Sequence, residues 1–377
     1  MHIAVDCLVL SRHPSGVERA VSGLLEGLVA LEAGDHRISV LLPRDSRGAV
    51  PADSPLEVIT APGWTRWRPG RVFYEQAVLP AVLRRLRVDL LHGAAYVLPL
   101  RWEGPAVVTV HDTITLTHPE WCKPLNVRHY RAVMTRSARR AAAVVVPSAH
   151  AQDAVVEHIG VNRARTSVVP LGVGEQFRPA GEEAVARLRE RYRLPERYLL
   201  CVGNLEPRKN LPAIIEAFEV FAGEAPHALV LAGKRGWRCG PVLRAMGQSP
   251  VAGRIRWLGW VPSGELAALY SGAEALVQWS LDEGFGLPPL EAMACGTPAV
   301  VSDGGALPEV AGEAALTVPL SAGSQGLAAE LARLAQDGDL RSQMIERGRT
   351  YAAQFTWPRH AERMMDIYEE AACEAAH

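Results

Sequence analysis

Arg208 and Lys209 stand side by side in Gly203-Asn204-Leu205-Glu206-Pro207-Arg208-Lys209-Asn210, on a proline turn between a predicted strand and a predicted helix. Two adjacent cations in that place can neutralise the two negative charges of a diphosphate, Arg by its planar fork and Lys as a point charge. A solvated loop closed by an asparagine cap is the alternative that needs no ligand. Lys209 is one of only three lysines among 40 basic residues, which singles it out. The GxxxxGK[ST] spacing of a Walker loop is absent.

A second stretch runs Glu283-Gly284-Phe285-Gly286-Leu287-Pro288-Pro289-Leu290-Glu291. Proline suits the first helical position, so a helix is expected to begin near Pro288 or Pro289, with Glu291 in its first turn. Glycines let a backbone approach a ligand closely, and a carboxylate accepts hydrogen bonds from the vicinal hydroxyls of a sugar or ribose. For Glu291 alone, an acid complementing the helix dipole would suffice. The company of two glycines, two prolines and a second acid favours a ligand.

Two weaker signals lie nearer the start. In Pro14-Ser15-Gly16-Val17-Glu18-Arg19 a glycine opens an amphipathic stretch, and bare amides at a helix N-terminus suit an anion. In Val107-Val108-Thr109-Val110-His111-Asp112, His111 ends a strand, where it serves either as a packed turn residue or as a hydrogen-bonding, proton-handling group. There is no GxGxxG in the first loop, and no HExxH, GxSxG or CxxC anywhere. The one DxD, Asp337-Gly338-Asp339, reads as a turn with an N-cap, so no metal site and no cofactor are expected.

These loops need strands to follow. Strands are predicted at 2–9, 37–42, 56–60, 89–92, 106–111, 143–147 and 166–170, then at 198–202, 228–232, 255–258, 275–278, 298–302 and 315–318. Helices are predicted between them at 16–31, 72–87, 126–141, 150–159, 211–222, 264–271, 288–295 and 326–335, with a last one from Trp357. This alternation predicts an α/β protein with parallel sheets, whose ligands sit at the carboxyl ends of strands. At 377 residues two domains are expected, 1–175 and 176–356, with residues 357–377 as a C-terminal helix that packs on either of them, the first included.

Composition narrows the class. With 48% hydrophobic and 21% charged residues the chain is globular, and a net charge of −1 gives no field to draw it onto nucleic acid. Six dispersed cysteines suit reduced thiols in a cytosolic protein. The acidic Asp6 near the start and the absence of a long apolar run predict neither a signal peptide nor a membrane span. Arg128, Arg131, Arg136, Arg139 and Arg140 fall on one predicted helix. Such a helix is either a solvated face or a contact for an anionic membrane or acceptor.

Together the motifs resemble glycosyltransferase family 4, retaining enzymes with two Rossmann-like domains facing across a cleft, the GT-B fold. The likeness is carried by Ser15-Gly16-Val17-Glu18-Arg19, Thr109-Val110-His111-Asp112, Val169-Pro170-Leu171-Gly172-Val173, the Arg208-Lys209 loop and Glu283 to Glu291, which matches the family's E-x7-E pattern. The resemblance implies that Glu291 holds the nucleotide ribose, and that Glu283 with the amides of Gly284, Phe285, Gly286 and Leu287 holds the donor sugar. It further implies Arg208 and Lys209 on the diphosphate, the Gly16 amide helping across the cleft, His111 facing the hexose, and Val261 meeting the base through its backbone. Some members carry a further arginine where this chain has Asn204.

The expected activity is transfer of a hexose, mannose first, from GDP-mannose or a UDP-hexose to a glycan, lipid-linked or small-molecule acceptor. The expected place is the cytoplasm, peripheral on the inner face of the membrane. A sugar-nucleotide epimerase of the same fold and a non-enzymatic two-domain binding protein are the rival readings.

Overall fold

A computed structural model describes residues 1–11, 15–31 and 36–374. Pro14, in the first loop singled out above, lies outside the described residues. The chain divides into two compact units, Met1–Gly172 with Thr356–His377, and Val173–Phe355.

The first unit holds β1 (His2–Asp6), β2 (Arg37–Pro43), β3 (Glu57–Ala61), β4 (Leu90–Gly93), β5 (Ala106–Thr109), β6 (Ala143–Val146) and β7 (Thr166–Val168). Their spatial order is β3-β2-β1-β4-β5-β6-β7, with every adjacent pair parallel. The second holds β8 (Tyr198–Val202), β9 (Ala228–Ala232), β10 (Ile255–Gly259), β11 (Ala275–Gln278), β12 (Ala299–Val301) and β13 (Leu316–Thr317), ordered β10-β9-β8-β11-β12-β13, again all parallel. The α/β class with two parallel sheets is thus the one the alternation predicted. Strands such as Leu199-Leu200-Cys201 read as continuous apolar runs because helices cover both faces of the sheet, and Leu200, Leu276 and Val300 are wholly buried. In each sheet the order reverses once, between β1 and β4 and between β8 and β11, and the loops after those strands are where such sheets bind ligands.

The helix predicted at 72–87 is broken up. Helix Arg68–Phe73 widens into a π-turn, Tyr74–Val78, before helix Leu79–Leu86. Pro80 has no amide to donate into the preceding turn, and the backbone widens ahead of it. Helix Glu182–Tyr192 was not foreseen, because Leu188 is its only buried residue and leaves no apolar period to read. Asp337 caps a helix, Gly338–Ala352, by accepting from the Leu340 amide at 2.8 Å.

The last helix, Trp357–Glu374, lies against Gly16–Ala30. Glycine at position 23 makes that approach possible: a Cβ there would fall 1.9 Å from the Trp357 ring. Deeper in, the Tyr368 hydroxyl donates to His92 Nδ1 at 2.7 Å, so the helix completes the core of the first unit. Among the described residues no helix is long and apolar enough to cross a membrane.

Candidate functional site

In the second unit the chain leaves β8 at Val202 and turns at Gly203, whose φ of 145° is left of what side chains adopt. A Cβ there would sit 2.9 Å from Lys209 Cε, so the glycine clears the path by which Lys209 folds back under its own loop. Residues Pro207–Lys209 form a 3-10 turn, and Asn210, at φ 52°, redirects the chain into helix Leu211–Ala222. The loop after β11 is tied to this one through the backbone, the Leu281 amide donating to the Arg208 carbonyl at 2.7 Å.

Glu283 stands where the two loops meet and is 6% exposed. Its Oε1 accepts from Lys209 Nζ at 2.6 Å, Ser280 Oγ at 2.9 Å and Gln278 Nε2 at 3.2 Å. Its Oε2 accepts from Arg208 Nη1. Arg208 Nε also donates to Glu206 at 3.2 Å. Burial alone would raise the Glu283 carboxyl, but the charges of Arg208 and Lys209 outweigh it and hold the group down at about 2. Lys209 is itself 8% exposed, and burial pulls its ammonium below the usual lysine value despite Glu283. Two cations, the Glu283 carboxylate and two neutral donors therefore meet at the reversal point of the sheet.

The helix of the second glutamate is Leu287–Ala294, one residue earlier than predicted, with Gly286 at φ 109° as its N-cap and Pro288 in its first turn. Glu291 consequently lies in the second turn, not the first as expected. It is 2% exposed, and its Oε2 accepts from the Tyr270 hydroxyl at 2.8 Å, which is the placement of a buried polar anchor rather than of a dipole-complementing surface acid. Phe285 and Leu287 are buried, Gly284 half-buried, and the Ala306 amide braces the Glu283 carbonyl at 2.8 Å. Val261 follows β10 and is buried in the same core cluster as Leu266 and Leu276.

The structure thus gathers Arg208, Lys209 and Glu283 into one cluster in the second unit, while Gly16 and His111 belong to the first. Gly16 opens a helix whose N-terminus already holds a carboxylate, Glu18 Oε2 accepting from the Ser15 hydroxyl at 2.6 Å. His111 is 8% exposed just past β5, and burial depresses it to about 4. Its Nε2 lies 2.9 Å from the Ala94 carbonyl, which can only accept, so the proton sits on Nε2 and Nδ1 carries a lone pair. Sequence reasoning missed Gln278, Ser280 and Tyr270. Gln278 ends a strand beside the glutamate loop, a position that could have been read; nothing local marks Tyr270.

Of the five helix arginines, Arg139 donates to the Ile159 carbonyl at 2.8 Å and Arg140 to the Trp102 carbonyl at 2.6 Å. Arg128, Arg131 and Arg136 face solvent.

Residues 14–177 match the model for Glycosyltransferase Family 4, and residues 186–351 that for Glycosyl transferases group 1. The chain is 30% identical over 290 residues to O-antigen chain mannosyltransferase B of Escherichia coli, covering 76% of each chain. It is 28% identical over 347 residues to the serotype-specific mannosyltransferase WbdA of Escherichia coli, covering 83% of this chain but only 41% of that protein's length. Among solved structures, Anabaena Alr3699/HepE in complex with UDP and glucose superimposes with a TM-score of 0.75 at 18% identity, covering 98% of this chain and 100% of that one, which speaks to the fold. The two parallel-sheet units are those of the GT-B architecture. The chain belongs to glycosyltransferase family 4, and it is a glycosyltransferase.

Proposed function

We propose that the protein is a retaining hexosyltransferase that moves mannose from GDP-mannose, or another hexose from a UDP-sugar, to a glycan, lipid-linked or small-molecule acceptor. The observation that carries this reading is the cluster of Arg208, Lys209 and Glu283 at the reversal point of the second sheet. Mannose is supported by the names of the two relatives above, and a nucleoside diphosphate by the UDP in the Anabaena structure.

In the proposed mechanism, negative charge builds on the departing diphosphate while positive charge builds on the sugar ring. Arg208 and Lys209 stabilise the former, fixed in place before reaction so that little reorganisation is needed. Glu283 and the amides of Gly284 to Leu287 hold the sugar hydroxyls, Glu291 holds the ribose, and the Val261 backbone meets the base. No enzymic nucleophile is called for: the departing phosphate takes the acceptor's proton as the new bond forms on the same face. His111, neutral with a free lone pair at Nδ1, accepts a hydrogen bond from a sugar hydroxyl rather than donating a proton. The Gly16 amide adds to diphosphate binding. The site of action is the cytoplasmic side of a membrane, with Arg128, Arg131 and Arg136 as the cations that face it.

Nucleoside diphosphate release from GDP-mannose, UDP-glucose and dTDP-glucose, with and without saccharide acceptors, tests the activity. Acceptor-dependent release from one donor, with the anomeric configuration kept in the product by NMR, is the expected result; release from none, or an inverted product, refutes it.

A further inference from the structure

The carboxyl edge of the first unit's sheet carries chemistry that the donor site leaves unused. After β3 a 3-10 turn, Gly63–Arg66, leads into helix Arg68–Phe73, and three large aromatics of this segment stand in solvent: Trp64 at 46%, Trp67 at 67% and Phe73 at 60% exposure. The Trp64 and Phe73 ring centroids are 6.2 Å apart, and Trp67 joins the turn to the helix between them. The platform is braced from behind. Trp64 packs edge-on to Tyr74 at 5.8 Å, and Gly70 sits so close that a Cβ would fall 2.5 Å from the Trp64 carbonyl.

The same segment also carries hydrogen-bonding groups. The Arg68 guanidinium lies over the Tyr130 ring at 5.5 Å and donates to Asn126. Arg71 Nε is buried, 3.4 Å from Glu75 and without a hydrogen-bond partner. Glu75 and Asp6, the latter at the carboxyl end of β1, are 6% and 7% exposed.

A pyranose presents just this combination in reverse: a flat face of C–H groups edged by hydroxyls. Rigid aromatic rings cover the first at small entropic cost, and guanidinium and carboxyl groups bond the second. We propose that Trp64, Trp67 and Phe73 form a saccharide-stacking subsite that grips the acceptor glycan, with Arg68 and Arg71 bonding its hydroxyls. This rests on the reading of the chain as a transferase to a saccharide acceptor. A lipid bilayer is the competing occupant, since Leu125, 81% exposed, and Arg128 follow on the adjoining helix. What favours the glycan is that the rings follow β3 at the carboxyl edge of the sheet, where such sheets bind ligands, with the guanidinium groups of Arg68 and Arg71 on the same segment.

The test uses the full chain and its Trp67→Ala/Phe73→Ala variant, two exposed positions whose loss leaves the core intact; Trp67→Ala alone serves if the double variant does not fold. Titration with α-mannotetraose, maltotetraose and chitotetraose, followed by tryptophan fluorescence and calorimetry without donor, reads binding directly. The unmodified protein is expected to bind at least one of them, and the variant to bind it roughly 10-fold more weakly or worse, with a matching rise in acceptor KM. Binding of none of the three, or equal binding by both proteins, overturns the proposal. So does a loss seen only in sedimentation with phosphatidylglycerol vesicles, which assigns the rings to a membrane. If no donor is turned over but the variant still loses oligosaccharide binding, the subsite stands and the proposed transfer fails.

Discussion

Lys209 Nζ lies 2.6 Å from Glu283 Oε1, although 74 residues of chain separate them. The contact makes the lysine both a charge for the proposed diphosphate and a counterion for a buried acid. Lys209→Ala should remove a charge-assisted interaction of about 1.5–3 kcal/mol and slow transfer roughly 10- to 100-fold. Steady-state kcat/KM with a saturating acceptor measures it. Turnover equal to that of the unmodified protein would sink the assignment of Lys209 to the diphosphate.

Glu283→Gln keeps the shape of the loop and removes the charge that Arg208 and Lys209 neutralise. Nucleoside diphosphate binding by calorimetry should therefore be undiminished, because the cations are left freer for the ligand, while transfer falls at least roughly 10-fold. Weaker nucleoside diphosphate binding would count against the division of roles. Glu283 also sets an acid limit. A carboxyl held at about 2, below its ordinary 4.5, adds stability above pH 4.5 that is lost as pH falls toward 2, and the variant should lack that part of the acid transition.

Glu291→Gln tests the ribose contact. The amide oxygen can still accept from Tyr270, so the fold should hold, and nucleoside diphosphate affinity should drop by roughly 5- to 50-fold as a charged acceptor becomes neutral. Isothermal titration of the variant with GDP and UDP decides it, and an unchanged affinity for both would place the ribose elsewhere.

The first unit should respond to pH in the opposite sense. Burial, reinforced by the Asp6 charge and opposed by Arg71 and Arg68, raises Glu75 to about 8, and burial raises Asp6 to about 6. Groups with raised values stabilise the fold when protonated, so this contribution is present below pH 4 and is lost as pH rises toward 8. Glu75→Gln should lessen the fall in Tm between pH 5 and pH 8, by roughly 2–4 °C for each kcal/mol recovered. Parallel Tm curves for the two proteins would show that Glu75 does not titrate in this range.

Gly23→Ala tests packing between the helices Gly16–Ala30 and Trp357–Glu374. Its Cβ would overlap the Trp357 ring, and the variant should lose about 1–3 kcal/mol in urea unfolding. A change below about 0.5 kcal/mol would mean that the last helix shifts freely.

Strands were legible because parallel strands covered on both faces are continuous apolar runs rich in β-branched residues, as in Ala143–Val146 and Ala299–Val301. The chemistry of Arg208, Lys209 and Glu283 was legible as residue types in loops after strands. Their meeting was not, since nothing local says that the loops after β8 and β11 become neighbours; that follows from sheet order. Glu291 fell in the second turn because the helix starts at Leu287, one residue ahead of Pro288, with Gly286 as its N-cap, and helix starts are read from sequence only to within a residue or two. The exposed Trp64, Trp67 and Phe73 escaped notice for another reason: sequence cannot tell an aromatic residue in a core from one in water.

The helix Trp357–Glu374 belongs to the first unit, yet it is made only after the whole of the second. During synthesis the second unit, Val173–Phe355, is complete and free to fold while the first still lacks the surface that covers Gly23 and the hydroxyl that meets His92. The usual order, in which the N-terminal domain matures first on the ribosome, is therefore inverted here. A premature stop within the codons for Trp357–Glu374 would spare the unit made just before it and cripple the unit made first.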